Sequence, residues 1–128
     1  FPGDHRGDSM LQPVEKHSGV PAYVQIIHMI KKEILMGNMT ESSRLPPVRE
    51  LAAIFEVNIN TVLKALDKMS QEEIVQSEQG VGYFIRKTQD VNREAMPVLG
   101  EAIRKLKQYG IGLEMTKLLL DELWRTDP

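Results

Sequence analysis

The stretch LPPVRELAAIFEVNINTVLKALDKMSQEE, residues 45–73, decides the fold. Pro46 and Pro47 stand just ahead of an apolar series, where proline does no harm because the first N–H groups of a helix lack helical partners. Val48, Leu51, Ala52, Ile54 and Phe55 then give a short helix its apolar face. Glu56, Val57 and Asn58 break the pattern, and Asn58 is a good N-cap. A second helix is expected over residues 59–72, turning Val62, Ala65, Leu66 and Met69 inward. Two helices separated by so short a break read as a helix-turn-helix.

Outward from this pair the pattern continues on both sides. Upstream, Tyr23, Ile26, Ile27, Ile30, Ile34 and Leu35 fall at helical spacing, with Gln25, His28, Lys31, Lys32 and Glu33 mostly on the other side. Pro21 suits the first turn of that helix, and Gly37 and Asn38 its stop. Residues 1–19 hold Gly, Pro and charge without an apolar period and are expected to form a mobile tail, part of it vector-derived ahead of a start at Met10. Downstream the period changes. Residues 74–78 and 83–86 read as strands around a turn at Gln79, Gly80, Val81 and Gly82, which makes a β-hairpin. Residues 88–92 are a polar link. Ala95, Val98, Leu99, Ala102, Ile103 and Leu106 then resume a helical period, Gly110 and Gly112 punctuate, and Met115, Leu118, Leu119, Leu120, Leu123 and Trp124 form a second apolar run.

The fold class expected is mainly α with a small β-hairpin: a winged helix-turn-helix at residues 20–88 followed by a two-helix segment at 89–128. Composition agrees with an ordinary globular protein, at 41% hydrophobic and 27% charged residues. The absence of cysteine excludes a disulfide scaffold and a cysteine-ligated zinc site, and it fits a cytoplasmic location. No apolar run approaches the roughly 20 residues that cross a bilayer, so no membrane association is expected. His5, His17 and His28 show no metal-ligand spacing, Glu72 and Glu73 read as a solvated helix corner, and Gly80 and Gly82 lie inside a hairpin rather than ahead of a helix. Nothing in the chain reads as an enzyme's nucleophile, metal site or phosphate loop, and no cofactor is expected. An effector, if one acts, would be an unidentified small molecule.

The function follows from the exposed face of the second helix of the pair. A major groove about 12 Å wide accepts one α-helix. Asn58, Asn60, Thr61, Lys64 and Lys68 point away from the apolar face, and these side chains can meet bases or phosphates. Arg44 and Arg49 precede that helix, and Gln79 and Gly80 stand at the hairpin turn, where they could meet the same duplex. Taken singly, each is an ordinary solvated residue; together on one face they form a surface for double-stranded DNA. The net charge of −2 weighs against this, because DNA binders usually show a basic face. A winged-helix module that binds protein instead is the alternative, but such a face should carry aromatic or aliphatic anchors.

From Pro21 to Lys87 the chain resembles the GntR family of bacterial regulators. The resemblance rests on Pro21-Ala22-Tyr23 with Gln25-Ile26, on Leu45-Pro46-Pro47-Val48-Arg49-Glu50-Leu51-Ala52, on the block from Val57 to Leu66, and on Gly80-Val81-Gly82-Tyr83-Phe84-Ile85. It implies DNA contacts from Arg49, from Asn58, Asn60 and Thr61, and from a wing tip at Gly80 that approaches the minor groove. Two positions depart from the family's usual glycine, Ser42 and Glu73. A left-handed cap at Glu73 would cost about 1 kcal/mol relative to glycine.

The short tail after Lys87 resembles the small YtrA-like branch, whose two terminal helices dimerise and whose members control transporter operons. Leu99, Ile103, Leu106, Leu118, Leu119, Leu123 and Trp124 are accordingly expected to form a homodimer contact, an apolar run too rich for solvent. The function expected is a sequence-specific transcriptional repressor that binds a palindromic operator as a homodimer.

Overall fold

The computed structural model describes residues 11–86 and 94–127. The chain divides into two compact units, residues 1–93 and 94–128. The first contains α1 (Ala22–Leu35), α2 (Val48–Phe55), α3 (Ile59–Gln71), β1 (Val75–Glu78) and β2 (Gly82–Ile85); the second contains α4 (Ala95–Gln108) and α5 (Leu113–Thr126). The architecture of the first is a helix-turn-helix with a wing.

Pro21 caps α1, its carbonyl accepting from the N–H groups of Val24 and Gln25 at 3.1 and 3.2 Å. At the other end Gly37 takes φ +80°, and the N–H groups of Asn38 and Met39 close onto the Glu33 carbonyl. This is the work of a left-handed glycine after a helix. α2 ends at Glu56, itself left-handed with φ +55°, and two residues later Asn58 opens α3. The apolar faces of the three helices meet in one core around Ile26, Ile30, Leu51, Phe55, Leu66 and Met69, closed from the wing by Ile74, Val75 and Ile85.

The wing is antiparallel, with Val75 opposite Ile85 and Glu78 opposite Gly82. Its outer edge is covered. Ser42 and Leu45 donate to the carbonyls of Ile85 and Tyr83 at 2.8 and 2.9 Å, and the Ile85 N–H donates to Ser43 at 2.8 Å. Arg44 thus pairs with Phe84 as a rudimentary third strand, and an edge that would invite foreign strands is occupied by the protein itself.

Two expectations are corrected here. Of the tail assigned to residues 1–19, residues 11–19 pack onto the domain. Leu11 and Val14 are buried in the core, and the Val14 N–H donates to the Phe55 carbonyl at 3.2 Å. The Gln25 side chain grips the Glu15 backbone in both directions, accepting from its N–H at 2.8 Å and donating to its carbonyl at 2.9 Å. An irregular strap with two apolar anchors has no period to detect. Glu33, placed among the solvent-facing residues of α1, is fully buried. Its Oε1 accepts from Asn38 Nδ2 at 3.1 Å, while Oε2 has no hydrogen-bond partner among the described residues and has Lys32 Nζ at 3.9 Å. Residues 1–10, the expected polar link at 88–92 and the expected boundary at 88/89 lie outside the described residues.

Ser42 and Glu73, the two departures from glycine, take φ +73° and +61°. A side chain in this region costs about 1 kcal/mol. Ser42→Gly and Glu73→Gly are each expected to stabilise the first unit by about that much, offset in part by the greater freedom of glycine in the unfolded chain. Thermal unfolding should register this as a rise of up to about 4–8 °C per substitution. The Glu73–Arg86 ion pair at 3.7 Å, lost in the second variant, is exposed and contributes little.

In the second unit, Tyr109 and Gly110 end α4, the Ile111 N–H returns to the Leu106 carbonyl at 2.9 Å, and Gly112 starts α5. Exposed ion pairs one turn apart, Arg104–Glu101 and Arg125–Glu122, decorate the helices. Neither helix has a buried residue.

Candidate nucleic-acid interface

Asn58 both starts α3 and points its residues. Its Oδ1 accepts from the Asn60 N–H at 2.7 Å, satisfying a donor that the helix leaves free. The Nδ2 donors of Asn58 stay available, while its Oδ1 already holds one bond. Asn60 follows on the exposed face, and Thr61 is half-buried beside it. Lys64 leans toward the domain's own α1: its ammonium stands 4.3 Å from the centre of the Tyr23 ring, a cation–π contact. Further along, Lys31 of α1 pairs with Glu72 just past α3 at 3.3 Å. One flank of α3 is therefore fastened to α1.

The wing tip is held from outside the hairpin. Arg44 donates from Nη2 to the Val81 carbonyl at 2.6 Å, across 37 residues of sequence. Its side chain also lies over Gly82, where an added Cβ would stand 3.6 Å from Nε. Gly80 turns the tip with φ +78°, and Gln79 beside it is exposed. Arg49 projects from the first turn of α2 and is exposed, with no hydrogen bond or ion pair among the described residues. Of the residues singled out in the sequence, Asn60, Thr61 and Lys64 share α3 with Asn58 as its cap, while Arg44 reaches the wing turn on which Gln79 and Gly80 stand.

Sequence reasoning missed Ile59 and Leu63. Both are exposed, at 41% and 39%, on the first two turns of α3. The available signal was position: Leu63 falls off the Val62, Ala65, Leu66 and Met69 face, while Ile59 continues that face into the first turn, where it is left exposed. Charge adds little to the surface. Residues 20–88 hold eight Lys or Arg against eight Asp or Glu, so nonspecific attraction to phosphates is weak and particular contacts must carry recognition. Among the described residues no group of His, Asp or Glu could hold a metal ion, and no helix is long and apolar enough to cross a membrane.

A capped helix with a polar, exposed leading end, braced by two others and flanked by a wing whose tip is fastened down, defines a winged-helix DNA-binding protein. Residues 22–85 match the model of the bacterial regulatory proteins of the gntR family. Over 113 residues the chain is 34% identical to the HTH-type transcriptional repressor YtrA of Bacillus subtilis, covering 85% of this chain and 86% of that one. Among solved structures it is similar to YtrA from Sulfolobus acidocaldarius, a GntR-family transcription factor, with a TM-score of 0.56, 27% identity and coverage of 74% and 98% of the two chains. The DNA-binding domain of AraR in complex with operator ORE1 gives a TM-score of 0.51 at 27% identity, covering 58% of this chain and 90% of that one. The chain belongs to the GntR family and is a DNA-binding transcription regulator.

Proposed function

We propose that the protein is a homodimeric repressor that occupies a roughly palindromic operator, with the two-helix segment at residues 89–128 as the dimer element. The observation that carries the dimer is the state of α4 and α5. No residue on either helix is buried, yet Leu99, Ile103, Leu118, Leu119 and Leu123 are exposed and Trp124 is 80% exposed. Apolar surface on this scale is stabilised by a partner, and two-fold pairing of a helix hairpin is the simplest way to supply one. Leu106, half-buried, belongs to the same hairpin. A two-fold dimer carries two copies of α3, one for each half-site. Half-sites about one helical turn apart, or a multiple of that, are then expected. Repression follows from occupation of promoter DNA, in keeping with the name of the Bacillus subtilis relative.

Selection of bound fragments from random DNA at about 150 mM salt, where weak phosphate attraction is screened, tests the reading directly. Enrichment of an inverted repeat is the expected result; enrichment of a single half-site would remove the two-fold operator. On the selected operator, Arg49→Ala is expected to weaken binding by about 1 kcal/mol or more, roughly fivefold, with an unchanged circular dichroism spectrum. Unchanged affinity would take Arg49 out of the contact set.

A further inference from the structure

We infer that α3 selects thymine in the operator, with Ile59 and Leu63 reading C5-methyl groups in the major groove. The inference rests on the operator-binding reading above. Ile59 and Leu63 are one turn apart in the leading half of α3, the part of a recognition helix that reaches base edges. Neither belongs to the core or to the apolar residues packed against it. The large hydrophobic residues left exposed at positions 11–86 are Val20, Met36, Ile59, Leu63 and Val81, and of these Ile59 and Leu63 share one helix face.

Their direction follows from what holds the rest of the helix. Lys64 over Tyr23 and Glu72 with Lys31 mark the flank turned to α1. Successive residues are set about 100° apart, so Leu63 stands about 100° round from Lys64, away from that flank, and Ile59 about 140° round, at the edge of the buried face but exposed in the first turn. Asn60 lies between them and the exposed centre of the helix, so apolar and amide groups face the same stretch of groove.

The chemistry of the groove then limits the partner. Guanine, adenine and cytosine present hydrogen-bonding groups on their major-groove edges, and an aliphatic side chain pressed on them displaces water without replacing its bonds. Thymine presents a methyl group beside its O4 acceptor, and it is the methyl that gains from the contact. Ile59 and Leu63 thus favour thymine twice, by burying its methyl and by penalising the other bases. The selection is carried by shape and dehydration rather than charge, which suits a DNA-binding unit with balanced charges.

Replacing thymine by deoxyuridine removes only the methyl group. Each thymine of the selected operator is replaced in turn and the full-length protein titrated at about 150 mM salt. At one or two positions per half-site the affinity should fall about fourfold, the equivalent of one buried methyl. At those positions the loss should vanish in Ile59→Ala or Leu63→Ala, while substitutions elsewhere stay neutral in every protein. An operator bound specifically in which every deoxyuridine is neutral overturns the inference and leaves operator binding standing. A deoxyuridine effect of full size in both variants also overturns it, by assigning the methyl contact to other residues. Failure to enrich any sequence overturns the operator reading and this one with it.

Discussion

Leu119→Asp is expected to leave the proposed dimer as a monomer at micromolar concentration and to weaken operator binding by a factor of about 100 or more. Leu119 sits midway along α5 and is 41% exposed in the isolated chain. A carboxylate there is solvated in the monomer, so the helix still forms. At the proposed dimer contact, made of apolar side chains, burying that charge costs several kcal/mol. The DNA consequence is larger than any single contact would give. Two half-sites bound by one dimer gain from effective concentration, typically by a factor of 100 to 10,000, and a monomer forfeits that gain. Sedimentation equilibrium reads the first effect and operator titration the second. A variant that still sediments as a dimer would move the interface off α5; a monomer with undiminished affinity would dissociate dimerisation from operator binding.

Phe55→Ala is expected to destabilise the DNA-binding unit by about 3–5 kcal/mol, the range for deleting a buried aromatic ring. Phe55 is fully buried. Its ring belongs to the core between the three helices, and its carbonyl holds the Val14 N–H of the strap. The residue is also the last of α2, next to the left-handed Glu56 on which the helix-turn-helix corner depends. The cavity therefore opens at the corner that sets the angle of α3. Small domains are stable by about 5–15 kcal/mol, so the loss takes a large part of the total. Urea unfolding followed by circular dichroism should show an early transition for the first unit, and operator affinity should fall with the folded fraction. Phe55→Leu keeps more of the volume and should cost far less. A small effect for the alanine variant would mean that the strap and α1 collapse into the space.

The sequence made some of this legible and concealed the rest for identifiable reasons. The helix-turn-helix could be read because residues 45–73 hold two periods, a proline start and an asparagine cap, all of them local signals. The wing could be read because glycines separate two β-type runs, although β2 begins at Gly82, inside the expected turn. The strain at Ser42 and Glu73 was visible as missing glycines. What was hidden depends on distance or on side-chain choice. Arg44 meets Val81 across 37 residues, which no window reveals. Glu33 lies three residues after Ile30 and next to Ile34, on the buried arc, but a charged residue type points the reading outward. Ile59 and Leu63 were passed over because a search for polar contacts does not stop at aliphatic side chains.

The three left-handed residues that are not glycine, Ser42, Glu56 and Glu73, also bear on how the protein can change over generations. Each stands at a junction between elements, where a single substitution to glycine relieves the backbone without moving a core atom. A glutamate codon becomes a glycine codon by one base change, so at Glu56 and Glu73 such relief is one mutational step away. A lineage in which a contact on α3 drifts to fit a new operator, at some loss of stability, has this compensation within reach. The unrelaxed corners therefore make the domain more evolvable in its choice of DNA than one already tuned to its most stable form.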